Sequence, residues 1–221
     1  MQYAVHRILT LEFMCVIIMK HIIFLIIAMF EKYSYRLKNR YYQFYNLRYL
    51  KWKGAKIGNN CMMTGKNAFS LSQGSTLEIG DNFICRSGFR GHILGAECSS
   101  FHIWGGKLKI GANSGISATN INCSEFISIG SYVLIGAGCL ITDSNHHSIN
   151  WKQRCMEGDC NIKTAPIVIE DYVFVGAKSI ILKGVTIGEK SVIAAGSVVV
   201  DDIPANCIAG GNPCKVIKYL N

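Results

Sequence analysis

Two adjacent histidines, His146 and His147, stand in the stretch DSNHHSINWKQRCMEGDCNIKTA, and they are two of only six in 221 residues. An imidazole titrates near neutrality, so it can take up and return a proton, or hold a metal ion while unprotonated. A ring used as a base needs its other nitrogen held by a neighbour, and Asp143 and Asn145 are the candidates within the loop. Which of those two points inward is open at the level of sequence. Ten cysteines are scattered from Cys15 to Cys214 with no CxxC pair among them, and Cys155 and Cys160 have no histidine cluster beside them. Free thiols in a reducing compartment are therefore expected, rather than a disulfide framework or a thiolate metal site. His92 and His102 fall in poorly patterned sequence and read as structural.

The segment bearing the histidine pair interrupts a repeat, and the repeat must position it. From residue 167 to residue 202 the chain reads IVIEDY VFVGAK SIILKG VTIGEK SVIAAG SVVVDD, and an aliphatic residue returns every sixth position through Ile169, Val175, Ile181, Ile187, Ile193 and Val199. A period of six fits neither the 3.6 of a helix nor the two of a simple strand. It marks a solenoid with three six-residue faces per coil, whose coils stack at about 4.8 Å. Small residues follow the marker at Gly176, Gly188 and Ala194, where a chain turning a corner has little room for a side chain. An earlier run, ISIGSY VLIGAG CLITDS, holds Ile129, Ile135 and Ile141 in the same register, with Cys139 at an inward position as a small hydrophobe. Fainter traces occur at Ile57-Gly58, Ile79-Gly80 and Ile110-Gly111. The expected architecture is all-β: a parallel β-helix over 55–205 with a protruding loop at 143–166, preceded by a helical segment over 1–54 and followed by a tail over 206–221.

The sequence VFVGAKSIILKGVTIGEKSVIAAGSVVVDDIPANCIAGGNPCKVIKYL, and above all its ending DIPANCIAGGNPCKVI, resembles the hexapeptide-repeat acyltransferases, in particular sugar O-acetyltransferases of the galactoside and maltose type. The resemblance is clear over residues 125 to 220 and weaker over 55 to 124. It implies a left-handed β-helix that forms a homotrimer, with acetyl-CoA as cosubstrate, a sugar hydroxyl as acceptor and no metal. The histidine that serves the family as general base aligns with His146 rather than His147. Family contacts to CoA fall on Ala177, Ala195 and Val200, and the basic residues that approach its phosphates fall on Lys215 and Lys218. One departure is Asp201, where related enzymes often carry a basic residue. For the acceptor, Asn120 and Asn122 could hydrogen-bond a sugar and Trp151 could stack on a pyranose face.

Charge divides the chain. Residues 1 to 56 carry ten Lys or Arg against Glu12 and Glu31, while the remainder is nearly balanced in a chain of net charge +9. A nucleic-acid-binding domain should carry its basic face itself, so nucleic acid is not an expected partner. Residues 13 to 30 are almost all apolar apart from Lys20 and His21, and EKYSYRLKNRYYQFYNLRYLKWKGAK interleaves aromatic with basic side chains. That composition suits a lipid headgroup boundary, with the remainder of the chain on the cytoplasmic side, and it equally suits an amphipathic cap on the first coil. The functional expectation is transfer of an acetyl group from acetyl-CoA to a sugar hydroxyl, in the assembly of a surface polysaccharide. Two alternatives are a non-catalytic trimeric scaffold and a γ-carbonic-anhydrase-like metal hydratase. The hydratase needs three histidines converging on zinc, and no third histidine falls in the later coils.

Overall fold

The structure, a computed structural model, describes residues 2–88 and 98–220, with side chains described from Met19 onward. His92 lies outside those residues, and so does the side chain of Cys15. The chain forms two compact units, Met1–Tyr41 and Tyr42–Asn221.

The first unit is the greater part of one long helix, α1 (Gln2–Trp52). From Met19 to Phe30 its large apolar side chains are exposed, Phe24, Met29 and Phe30 by about two-thirds or more. Among the described residues no helix is long and apolar enough to cross a membrane. The side chains of residues 13–18, the first part of the apolar run, lie outside those described.

The second unit is a three-sided parallel coil. Successive strands pass to successive sheets: the first sheet runs in six strands from Lys56–Ile57 to Thr186–Ile187, the second in eight from Met62–Thr64 to Lys215–Tyr219, the third in six from Ala68–Leu71 to Val198–Val199. Every pairing between strands of consecutive coils is parallel and in register. In the first sheet one isoleucine stacks on the next through Ile57, Ile79, Ile110, Ile129, Ile169 and Ile187. The faint Ile-Gly traces of the early chain are thus the same column as the strict late repeat. All six late marker residues are buried, and the second small position of the repeat, at Val173, Ser179, Val185, Ser191 and Ser197, is buried with them.

Coil spacing explains the corners. A Cβ on Gly176 would lie 2.5 Å from the Ala195 nitrogen, and one on Gly188 would lie 2.4 Å from that of Ala205, so neither position tolerates a larger residue without moving a coil. At the corner that Gly188 occupies, between the first and second sheets, the turning residue adopts a left-handed conformation in coil after coil, at Asn60, Asn82, Asn113, Tyr132, Tyr172, Lys190 and Asn206, with φ between 54° and 60°. Asparagine tolerates this region well and tyrosine less so. The Tyr132 and Tyr172 rings offset that cost in part by stacking at 5.1 Å.

Both ends of the coil are finished by other material. The last turns of α1 lie over the first coil: Leu50 and Asn46 are fully buried, and the Asn46 amide donates to the carbonyls of Met63 and Gly65. The Tyr49 ring stacks on Phe69, which stacks on Phe101. At the far end, Cys207–Gly210 joins the second sheet in parallel, and Lys215–Tyr219 then turns back antiparallel against it.

Candidate active site

The third sheet carries the site. Its strand Leu140–Thr142 pairs with Asn120–Cys123 on one side, which in turn pairs with Ser100–Ile103, so that Thr142, Asn122 and His102 share one column. On the other side, Ile141 leads through Ile181 to Val199. Just beyond Thr142 the chain leaves the coil as the loop and returns at Ile167–Ile169.

The loop is a built element. Asn145 N–H donates to the Lys163 carbonyl and Ala165 N–H to that of Asp143, which closes its neck. Inside it, Asp159 accepts from Ser148 N–H and from the His147 ring, and Arg154 reaches the Ser148 carbonyl. The amide and the histidine together hold the Asp159 carboxyl below its ordinary pKa. A short helix, α2 (Trp151–Met156), is capped by Asn150, whose side chain accepts from Lys152 N–H.

His146 sits at the root of this loop with φ at 60°. Its Nε2 lies 2.8 Å from Thr142 Oγ1, and its ring meets that of Trp104 edge-on, with centroids 5.8 Å apart at 87°. Trp104 also lies against His102, at 6.0 Å. Neither candidate from the loop holds the ring. Asp143 is fully buried, and its two carboxyl oxygens accept from the backbone amides of Ser124 and Glu125 at 2.7 and 2.8 Å, which ties two coils together. The Asn145 side-chain nitrogen is buried without a hydrogen-bond partner among the described residues. The bond to the imidazole comes from Thr142. His147 points outward to Asp159 and braces the loop.

The other expected residues distribute themselves around the third sheet. Ala177 and Ala195 stack at the corner entering it, joined by the bond from Gly196 N–H to the Ala177 carbonyl, and Ala195 is exposed. Val200, also exposed, stands at the opposite edge, the one from which the loop departs two coils earlier. Asn120 accepts from the Ser100 hydroxyl at 2.6 Å, and Asn122 sits in register with Thr142. Trp151 lies elsewhere, in a cavity of about 650 Å³ on the loop lined with Ser148, Gln153, Asn161 and Lys163, which does not include His146. Lys215 pairs with Asp201 at 2.8 Å, and Lys218 is exposed on the same final strand. Thr142 and Trp104 are the side chains that meet His146, and sequence reasoning missed both; Trp104 in turn meets His102, which reads as structural from sequence. Thr142 and His102 share a column through Asn122, and that register was the one signal that could have found this cluster.

Several of the thiols are buried among the coils. Burial pushes Cys85 up to about 12, and burial together with the nearby Asp143 does the same to Cys123. All the cysteines among the described residues are free. Among those residues no three His, Cys, Asp or Glu are grouped to hold a metal ion.

The family described as the hexapeptide repeat of succinyl-transferase matches residues 166–200. Over those residues the chain carries the hexapeptide repeat. Over 56 residues, 25% of its length, this hexapeptide-repeat chain is 54% identical to a 2,3,4,5-tetrahydropyridine-2,6-dicarboxylate N-acetyltransferase of Clostridium perfringens, and the match covers 24% of that relative. Over 105 residues it is 40% identical to a Schizosaccharomyces pombe protein provisionally named an acetyltransferase, covering 46% of this chain and 49% of the other. The matches thus span between a quarter and half of the relatives' length. Among solved structures, a hexapeptide-repeat-containing acetyltransferase of Vibrio cholerae superposes with a TM-score of 0.50 at 26% identity, over 75% of this chain and 74% of that one. An N-acyltransferase of Bacillus cereus, solved with dTDP-4-amino-4,6-dideoxyglucose and coenzyme A, superposes with a TM-score of 0.60 at 21% identity, over 79% and 89%. The second likeness concerns the fold alone. The hexapeptide-repeat chain shares with these proteins the left-handed parallel β-helix.

Proposed function

We propose that the chain is an acetyl-CoA-dependent acetyltransferase that acts on a sugar, with His146 as general base. The observation that carries the reading is His146 itself. It is lodged between Thr142 and Trp104 at the root of the loop, just past a strand whose register leads to Val199, the residue before Val200. The names of the relatives and of the Vibrio cholerae neighbour support acetyl transfer. The Bacillus cereus enzyme was solved with a sugar nucleotide, which agrees with a sugar acceptor.

In this reading a sugar hydroxyl gives its proton to the imidazole, and its oxygen attacks the thioester carbonyl of acetyl-CoA. The tetrahedral oxyanion collapses, the carbon–sulfur bond breaks, and the CoA thiolate recovers the proton from the imidazolium. A positioned base of this kind contributes about 10²- to 10⁴-fold in rate. The pantetheine arm would pass Ala177 and Ala195 toward Val200, in a groove completed by a neighbouring copy of a homotrimer. Lys215 and Lys218 would meet the phosphates as point charges. Asp201 competes for Lys215, so nucleotide binding should displace that ion pair. Trp104, next to the base, is better placed than Trp151 to receive the acceptor. The proposed product is an O-acetyl sugar, and the proposed role in surface polysaccharide assembly rests on the apolar and basic N-terminal segment, which suits a lipid-carried acceptor. The relatives named as N-acetyltransferases make transfer to an amino sugar the competing outcome.

The exposed apolar side chains of residues 19–30, followed by Lys32, Arg36, Lys38 and Arg40, suit a helix lying at an anionic membrane surface on the cytoplasmic side. Co-sedimentation should be stronger with phosphatidylglycerol vesicles than with phosphatidylcholine vesicles, and equal binding to both would remove this part of the proposal.

The catalytic proposal is tested by thioester cleavage with acetyl-CoA against hexoses, amino sugars and lipid-linked glycans. The wild type should turn over with at least one acceptor, and His146→Ala should lose about 10²- to 10⁴-fold without losing stability. A His146→Ala variant as fast as the wild type would refute the role, and transfer to amines alone would replace O- with N-acetylation.

A further inference from the structure

The Thr142 side chain makes two contacts whose proton bookkeeping constrains His146. Its hydroxyl lies 2.8 Å from His146 Nε2 and 3.2 Å from the Ser144 carbonyl oxygen, and the residue is buried. A hydroxyl has one proton to donate, and a carbonyl can only accept. Both contacts are hydrogen bonds only if the hydroxyl gives its proton to Ser144 and receives one from Nε2–H. Turning the ring by half a revolution would set a carbon against Thr142 and forfeit the bond. The plane of the ring is set by its neighbours: the Trp104 ring stands at right angles to the imidazole, and the backbone from which it projects is held by the His146 amide donating to Ser144 Oγ at 3.0 Å.

We propose that Thr142 is a positioning residue that keeps the proton on Nε2, so that Nδ1 is the nitrogen that exchanges a proton with the substrates. This inference rests on the reading of His146 as the base. Nδ1 takes the proton of the acceptor hydroxyl as the new oxygen–carbon bond forms, and returns it to the thiolate as the carbon–sulfur bond breaks. Through both steps Nε2–H keeps donating to Thr142, because the neutral ring and the imidazolium both carry that proton. No partner has to reorient during the cycle. A carboxylate in the same place would bind the imidazolium more tightly than the neutral ring and bias the base toward its protonated form. A hydroxyl already committed to a carbonyl fixes the ring with less of that bias.

The tautomer can be read without turnover. In full-length protein labelled with ¹⁵N-histidine, long-range proton–nitrogen correlation should show His146 protonated at Nε2, its signals assigned by their loss in His146→Gln. The Nε2 proton should exchange slowly enough to be seen downfield in the wild type and in Thr142→Ser, and should vanish in Thr142→Val. In turnover, Thr142→Ser should stay within about threefold of wild-type kcat, whereas Thr142→Val should lose about tenfold or more with the acceptor KM unchanged. A wild-type ring protonated at Nδ1, or a Thr142→Val ring that keeps a slowly exchanging Nε2 proton, would overturn the inference. If the tautomer is as stated and no acetyl transfer is found, the functional reading fails and the positioning by Thr142 stands.

Discussion

The late coils and the edge of the third sheet share one backbone geometry and use it in opposite ways. Between residues 167 and 200 every inward marker is a buried aliphatic residue, and the corners at Gly176 and Gly188 leave no room for a side chain. Around Thr142 an outward-facing residue is buried while its column mates Asn122 and His102 are half-buried, an aspartate lies in the interior, and the loop that leaves the repeat carries a residue with positive φ at its root. The first region resembles a ruler, the second a fixture mounted on it. The repeat supplies rigidity at little informational cost, and the chemistry is concentrated where the repeat is broken.

Substitutions should separate the two regions. The largest effect is expected in the late coils: Ile181→Asp buries a carboxyl group among Ile141, Val199 and their neighbours with nothing to pair it. A loss above about 4 kcal/mol, or failure to fold, is expected in urea or thermal unfolding. A stability near the wild type would mean that the coil interior is far more accommodating than its packing implies. Next comes Asp143→Ala, which strips two backbone amides of their acceptor and should cost about 2–3 kcal/mol. If it instead abolished turnover in a protein of unchanged stability, Asp143 would have to be moved from the scaffold to the chemistry. The smallest effect should be at Asp159. Its lowered pKa means that the bonds bracing the loop contribute fully above the ordinary value of 3.8 and are lost as pH falls through the lowered one. The protection of the Ser148 amide, relative to its intrinsic exchange rate at each pH, should therefore fall on acidification into that window while the coil amides stay protected. Equal protection at neutral and acid pH would show that the loop is held by something else.

Much of the fold could be read from the residues alone, because a six-residue period is a one-dimensional signal of a one-dimensional stack. It faded before residue 125 for a physical reason. Insertions between coils shift the phase, and inward places there are filled by Phe83, Phe101, Met63 and Cys85 rather than by a uniform aliphatic. The isoleucine column ran through those coils all the same. His146 was legible as the residue of interest, since a loop that interrupts a repeat stands out. Its partner was not. Asp143 and Asn145 were the natural candidates by proximity in sequence, yet the interior of the stack claims the carboxyl group of the first, and the side-chain nitrogen of the second meets no partner. Thr142 and Trp104 become visible only once strands are laid side by side, since Trp104 belongs to an earlier coil than the loop it faces. The CoA-facing positions rest on the resemblance: small residues at a corner are required by the spacing of the coils whether or not a ligand passes them.

The way the two ends of the prism are finished has a consequence for assembly. An open stack of in-register strands offers each terminal coil as a template on which another molecule could continue the ladder. Here Asn46 spends its amide on carbonyls that would face such a newcomer, and at the opposite pole the chain doubles back on itself through Lys215–Tyr219. Both poles are thereby poorer templates for lengthwise polymerisation than bare coils would be, which favours the flanks as the place for copies to meet. Prisms that meet side by side form clefts running parallel to their axes, the shape that a long, thin cosubstrate of the proposed kind would need.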